Sequence, residues 1–160
     1  MRRAYLIVLS LALLAACAAS PGPEQQVQLY FASTRNSGAS LVALPYRGDE
    51  PSPGVDALLA ALLAGPPENE EAASPFPRGL SVLSWELRTD GVLSLDLSEH
   101  YSGLSDVSLT LADYCIVLTL GQLDSVEQVE ITVAGRPLSY RSHPVLSPAE
   151  VLLETELSLS

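Results

Sequence analysis

The chain has 160 residues, 48 % of them apolar, which is enough for one domain with a sizeable core and argues against general disorder. Its formal net charge is −11, and its eight basic residues, all arginine, face nineteen acidic ones. Such a surface repels phosphate backbones and anionic headgroups, so nucleic acid is excluded as a partner and so is membrane adhesion through basic patches.

Met1-Arg2-Arg3 is a short positive start, followed by an apolar run from Ala4 to Ala16 that only Ser10 interrupts. Thirteen residues make roughly 20 Å of helix at about 1.5 Å each, too short for a hydrocarbon core of ~30 Å. A charged start, a short apolar core and small residues together describe an export signal. Its end, Leu14-Ala15-Ala16-Cys17, resembles the bacterial lipobox, in which the cysteine thiol takes a diacylglyceryl group and becomes the new N-terminus. Two acyl chains hold a protein at a membrane where one gives only marginal binding. The expected divisions are a signal peptide at 1–16, the lipidated Cys17 with a linker at 17–25, a domain at 26–141, and an extension with a short helix at 142–160. Ala18 to Gln25, with Ser20-Pro21-Gly22-Pro23, reaches about 28 Å at most, so the domain is expected close to the extracytoplasmic face of the cell membrane.

Val27, Leu29 and Phe31 alternate with polar neighbours and predict a half-buried strand. A second short strand, Leu41 to Tyr46, is placed on a sheet edge because Pro45 donates no ladder hydrogen bond. Ser52 and Pro53 predict a helix start as cap and first helical residue, and Val55, Leu58, Leu59, Leu62 and Leu63 follow at helical spacing. Gly65 before Pro66-Pro67 ends that helix, whose other face carries Asp56, Ala57, Ala60, Ala61 and Ala64. Glu68, Glu70 and Glu71 lie in an acidic loop without the alternating ligand spacing of a calcium site.

The hairpin is the sharpest prediction. A two-residue turn at Asp90-Gly91 would put the two apolar rows on opposite faces of the sheet. A three-residue loop, Thr89-Asp90-Gly91 with Gly91 left-handed, pairs Leu87 with Leu93, Trp85 with Leu95 and Leu83 with Leu97, so that all six face one core. Ser108 to Leu123 then predicts a deeply packed helix with an apolar stripe of Leu109, Ala112, Cys115, Ile116, Thr119, Leu120 and Leu123, and with Thr110, Asp113 and Asp124 on its polar side. Val129, Ile131 and Val133 form a strand, Ala134-Gly135 turns, and Leu138 to Arg141 returns as a short strand. Ser147-Pro148-Ala149-Glu150 is a capping box opening a final helix. The order predicts an α+β fold, a mostly antiparallel sheet with two helices on one face.

Chemistry is sparse. No phosphate-cradling glycine loop, serine elbow, paired CxxC or HExxH occurs, so no catalytic residue, cofactor site or metal site is assigned. Asp96, Glu99 and His100 are the one grouping that offers acid-base or ligand chemistry, and a strand end running into a polar turn explains them as well. His143 precedes Pro144 in a loop. With Cys17 lipidated, Cys115 has no disulfide partner and is expected to behave as a small buried hydrophobe.

Four segments in order carry a family resemblance: Val27 to Phe31; Ala60-Ala61-Leu62-Leu63-Ala64-Gly65-Pro66; Asp90 to Ser98; and Ile116 to Leu120 leading through Val129 to Gly135. Together they resemble the GerMN family of sporulation and spore germination domains, over about Gln26 to Tyr140. The resemblance implies a ring-building-motif-like fold, no catalytic residues, and action by protein-protein contact in sporulation, germination or envelope assembly, with envelope or sporulation proteins or a homo-oligomer as the expected partners. Members are commonly lipoproteins of Gram-positive bacteria. The alanine face of the first helix and the edge strand at Leu41 to Tyr46 are the candidate contact surfaces. A small-ligand-binding lipoprotein, for a cell-wall fragment or a cation, is the alternative; Trp85 and the tyrosines at 30, 46, 101, 114 and 140 would supply its stacking surfaces. A hydrolase using Asp96, Glu99 and His100 is the third.

Overall fold

The computed structural model describes residues 26–35, 40–68, 70–138 and 144–151. The leader, Cys17, Tyr140 and His143 lie outside the described residues. In chain order the elements are β1 (Gln28–Ser33), β2 (Leu41–Pro45), α1 (Val55–Ala64), β3 (Ala72–Ala73), β4 (Val82–Leu87), β5 (Val92–Leu97), a 3-10 turn (Glu99–Gly103), α2 (Asp106–Leu120), β6 (Gln128–Val133), β7 (Arg136–Pro137) and β8 (Val145–Leu146). The fold is α+β and mostly antiparallel, with the strands divided between two sheets. One has the order β2-β1-β3; the other has β4-β5-β6-β7, with β8 also on β6. β5 and β6 run parallel, because α2 carries the chain back across the sheet between them.

The core lies between the two sheets and the two helices. Leu29 and Phe31 of β1, Leu58 and Leu62 of α1, Ile116, Val117 and Leu120 of α2, and the alternating rows Leu93, Leu95, Leu97 and Val129, Ile131, Val133 are all buried in it. That periodicity was plain in the sequence.

Backbone hydrogen bonding explains how β1 is held. Its odd-numbered residues face β2, as the bonds from the Tyr46 N–H to the Val27 carbonyl and from the Ser33 N–H to the Ser40 carbonyl show. Its even-numbered residues face the other way, where β3 is only long enough to pair with Ala32 and Ser33. α2 supplies the rest. Thr119 Oγ1 accepts from the Tyr30 N–H at 3.1 Å, while Gln122 accepts from the Gln28 N–H at 2.9 Å and donates to its carbonyl at 2.7 Å. Side chains thus complete a ladder that a strand would otherwise provide.

Expectations for both helices are corrected. α1 starts at Val55 with Gly54 as its cap, so Ser52 does not cap it and Pro53 is a buried residue ahead of the helix. α2 runs from Asp106 to Leu120, and Asp113 on it is buried rather than on a polar side. The Tyr101 hydroxyl donates to Asp113 Oδ1 at 2.7 Å, which satisfies a polar group inside the core. From the Ala134-Gly135 turn the chain returns as the short strand Arg136–Pro137, while 139–141 of the expected strand Leu138 to Arg141 lie outside the described residues.

The hairpin keeps the three-residue loop. Leu87 pairs with Leu93 and Trp85 with Leu95, and Gly91 has φ 79°, where a Cβ would also lie 2.8 Å from Glu127 Cγ. Leu97 pairs with Val82 instead of Leu83, because a bulge between Val82 and Ser84 inserts one residue. The six residues therefore do not all enter one core: Leu83 is 54 % exposed and Trp85 38 %. The capping box stands as expected. The Ser147 N–H donates to Glu150 Oε2 at 2.9 Å and the Glu150 N–H to Ser147 Oγ at 3.3 Å, opening one helical turn at 148–151.

Candidate interaction surface

Two sheet edges and one helix face are available to a partner. β2 is the edge expected from Pro45. β4 is a second edge that the sequence did not single out, since an apolar row like Leu83, Trp85 and Leu87 belongs equally to a central strand. In β4 the Arg88 N–H bonds the Val92 carbonyl at 2.9 Å. Antiparallel alternation therefore turns the backbone groups of Glu86 and Ser84 toward β5 and those of Leu87 and Trp85 outward. No described residue takes up that outward row. Leu83 is the extra residue of the bulge and does not belong to that row; Leu83, Trp85 and Val107 on the first turn of α2 are the exposed large apolar side chains among the described residues.

On α1, Ala60 and Ala64 are exposed while Ala57 and Ala61 are half-buried. Asp56 at the start of this face is already used: its Oδ1 accepts from Trp85 Nε1 at 2.6 Å. Trp85 thus ties the β4 edge to α1.

The outer face of the second sheet carries a groove of about 350 Å³, lined by Ser84, Trp85, Glu86, Ser94, Leu95, Asp96, Thr132 and Gly135. Its polar groups mostly bond one another along the parallel register. Ser94 Oγ donates to Glu130 Oε2 at 3.0 Å, and Arg88 reaches the same atom at 3.3 Å. Asp96 Oδ1 accepts from Thr132 Oγ1 and from the Gly135 N–H, both at 2.8 Å. Strand alternation puts the Trp85 ring on the face opposite Ser84 and Glu86, against α1, so it offers no stacking surface in this groove. Tyr101 is fully buried, and Tyr30, Tyr46 and Tyr114 are half-buried.

Asp96, Glu99 and His100 do not converge. Asp96 is held on β6, Glu99 pairs with Arg136 at 2.9 Å, and His100 Nδ1 lies 3.3 Å from Ser98 Oγ. Among the described residues no three His, Cys, Asp or Glu side chains are grouped to hold a metal ion. The acidic loop is tied down rather than free: Glu71 pairs with Arg35, Glu70 lies 3.8 Å from Arg47, and the Glu71 carbonyl accepts from the Thr34 N–H. Cys115 is a free, fully buried thiol, and burial pushes its pKa up to about 12. At the hairpin tip the hydrogen bond from Arg88 and then that from the Val92 N–H hold Asp90 below its ordinary carboxylate range. No helix among the described residues is long and apolar enough to cross a membrane.

The described residues thus form an α+β domain with open strand edges at β2 and β4. Residues 28–139 match the Germane family, described as sporulation and spore germination, and the chain belongs to that family. Two solved structures are similar. The tandem GerMN domains of the sporulation protein GerM from Bacillus subtilis align with a TM-score of 0.61 and 17 % identity, over 78 % of this chain and 46 % of that one. This chain thus spans less than half the length of the tandem structure. The first GerMN domain of the same protein aligns with a TM-score of 0.57 and 17 % identity, over 76 % of this chain and 94 % of that one. The comparison with curated proteins gave no match.

Proposed function

We propose that this protein is a lipid-anchored, extracytoplasmic GerMN domain that acts by protein-protein contact in sporulation, spore germination or cell-envelope assembly, without catalysis of its own. The family match over residues 28–139 carries this reading. Two features support the finer parts. The Leu14-Ala15-Ala16-Cys17 sequence supplies the acceptor for a lipid, and the open edges β2 and β4 present unpaired backbone groups and apolar side chains to another chain.

The test is a crosslinking pull-down from membranes of growing and sporulating cells, with Cys17→Ala as control. Recovery of envelope or sporulation proteins, lost with Cys17→Ala, is the expected result. A Cys17→Ala chain that stays with the membrane fraction refutes the anchor. A deletion that leaves sporulation, germination and envelope integrity unchanged refutes the role.

A further inference from the structure

We propose that the groove at the C-terminal end of α1 is a docking site for a short segment of a partner protein that carries a carboxylate beside an apolar side chain, with Arg78 as its anchor. This rests on the reading of the chain as a contact domain and names a surface and the chemistry of the partner that fits it.

The groove has a volume of about 320 Å³ and lies between the last turn of α1 and the loop from Ser74 to Leu80. Leu63, Phe76 and Leu80 are its half-buried apolar walls, while Ala64, Ser74 and Arg78 are exposed. Arg78 is held at the tip of a tight turn. The Leu80 N–H bonds the Pro77 carbonyl at 3.3 Å, and Gly79 takes φ 82°, as the third position of a type II turn requires. The His100 ring backs that turn, since a Cβ on Gly79 would lie 3.3 Å from His100 Nε2. Arg35, Arg47, Arg88 and Arg136 each pair with a carboxylate, whereas Arg78 has no ion pair or side-chain hydrogen bond among the described residues. In a chain of net charge −11, an arginine left without a carboxylate beside an apolar groove complements an acidic, apolar segment. The end of α1 narrows the choice of anion. The Gly65 N–H bonds the Leu62 carbonyl at 3.2 Å, and Pro66 and Pro67 bring no N–H, so the Leu63 and Ala64 carbonyls receive no hydrogen bond among the described residues. Such a helix end is negative and opposes a bare anion such as phosphate. A peptide brings N–H groups together with its carboxylate and suits both. The acidic chain likewise repels an anionic membrane surface. The groove is at the low end of the roughly 300–1,000 Å³ of small-molecule sites, and being open it fits one or two side chains of a larger partner.

The experiment uses the full chain, isotope-labelled and purified from cells in neutral detergent, and reads the Gly65 and Gly79 amides and the Arg78 side chain by NMR. The probes are blocked tripeptides with a glutamate between leucine and phenylalanine, their glutamine counterparts, inorganic phosphate and soluble muropeptides. The glutamate peptides are expected to shift these signals saturably. Glutamine in the peptide, or Arg78→Gln in the chain, weakens binding about fivefold, the upper end for an exposed ion pair, and the two changes together cost no more than either alone. Arg78→Lys keeps part of the affinity, and alanine at both flanking positions of the peptide removes binding. Arg78 is exposed on a turn, so Arg78→Gln folds, which unchanged Trp85 fluorescence checks. No saturable shift with any glutamate peptide, equal binding of glutamate and glutamine peptides, or tighter binding of phosphate or muropeptides overturns the proposal. Shifts that appear on concentrating the chain alone assign the groove to a second copy and overturn it too. In cells, envelope proteins captured equally by the Arg78→Gln chain overturn the groove alone; groove binding without captured partners or a phenotype overturns the proposed function alone.

Discussion

Replacing Thr119 by valine removes the one acceptor that α2 offers to the Tyr30 N–H, and it does so without changing side-chain volume much. Thr119 is fully buried, and its Oγ1 receives that N–H at 3.1 Å. β2 faces the other backbone row of β1, and β3 stops short at Ala32. The freed N–H thus has no strand partner, and the valine methyl excludes water from the place where the oxygen sat. Leaving a buried donor unsatisfied costs about 1–3 kcal/mol. Taking about 2 kcal/mol and a urea m-value of about 2 kcal/mol per molar, the unfolding midpoint falls by about 1 M with m unchanged. Thr119→Ser keeps the acceptor and loses only a methyl, so it restores most of the loss. Equilibrium urea unfolding of the purified chain, followed by Trp85 fluorescence, measures both variants. A Thr119→Val midpoint within about 0.2 M of the parent would show that β1 does not depend on this bond, and the account of how α2 completes the ladder would fail.

Gln122→Ala breaks two comparable bonds to Gln28, but that site is exposed and water replaces them, so the same urea assay shows a loss below about 1 kcal/mol. Trp85 is the single tryptophan, so Asp56→Ala, which removes its indole partner at 2.6 Å, changes its emission and acrylamide quenching while Asp56→Asn preserves them. For Cys115 the buried thiol is protonated until about pH 12 against an ordinary 9.0. The folded state therefore binds the proton that the unfolded chain releases: stability is full below pH 9 and declines as pH rises toward 12, and Cys115→Ala flattens that part of the stability profile. Asp90 has the opposite sign, because its folded pKa lies below the ordinary 3.8. Its contribution is present above that pH and lost as the pH falls, and carboxyl NMR titration shows the midpoint returning toward 3.8 in Arg88→Ala.

Periodicity made most of the fold legible. The alternating rows at Leu93 to Leu97 and Val129 to Val133 and the helical spacing from Val55 to Leu62 are burial patterns, and burial is what the hydrophobic effect writes into a sequence. The hairpin register followed from demanding that apolar rows share a face, and it is correct where the strand is regular. It breaks at Leu83, since a bulge costs one residue of register and leaves no compositional mark. Asp113 was misplaced, and the bond made by Thr119 went unseen, for a related reason. A threonine in an apolar stripe and an aspartate nearly two turns earlier look like filler and surface, and only the third dimension shows one holding a strand and the other holding the Tyr101 hydroxyl.

The interaction surface was half legible, and the missing half has a physical cause. Pro45 marks β2 as an edge because it cannot donate a ladder bond, so an edge that protects itself announces itself in the sequence. β4 is an edge by its place in the strand order, which depends on α2 returning the chain to the far side of β5 rather than beside β4. Nothing local to Val82–Leu87 encodes that choice. What β4 does carry is a bulge at one end and a single carboxylate, Glu86, on its outer face; both discourage indiscriminate pairing.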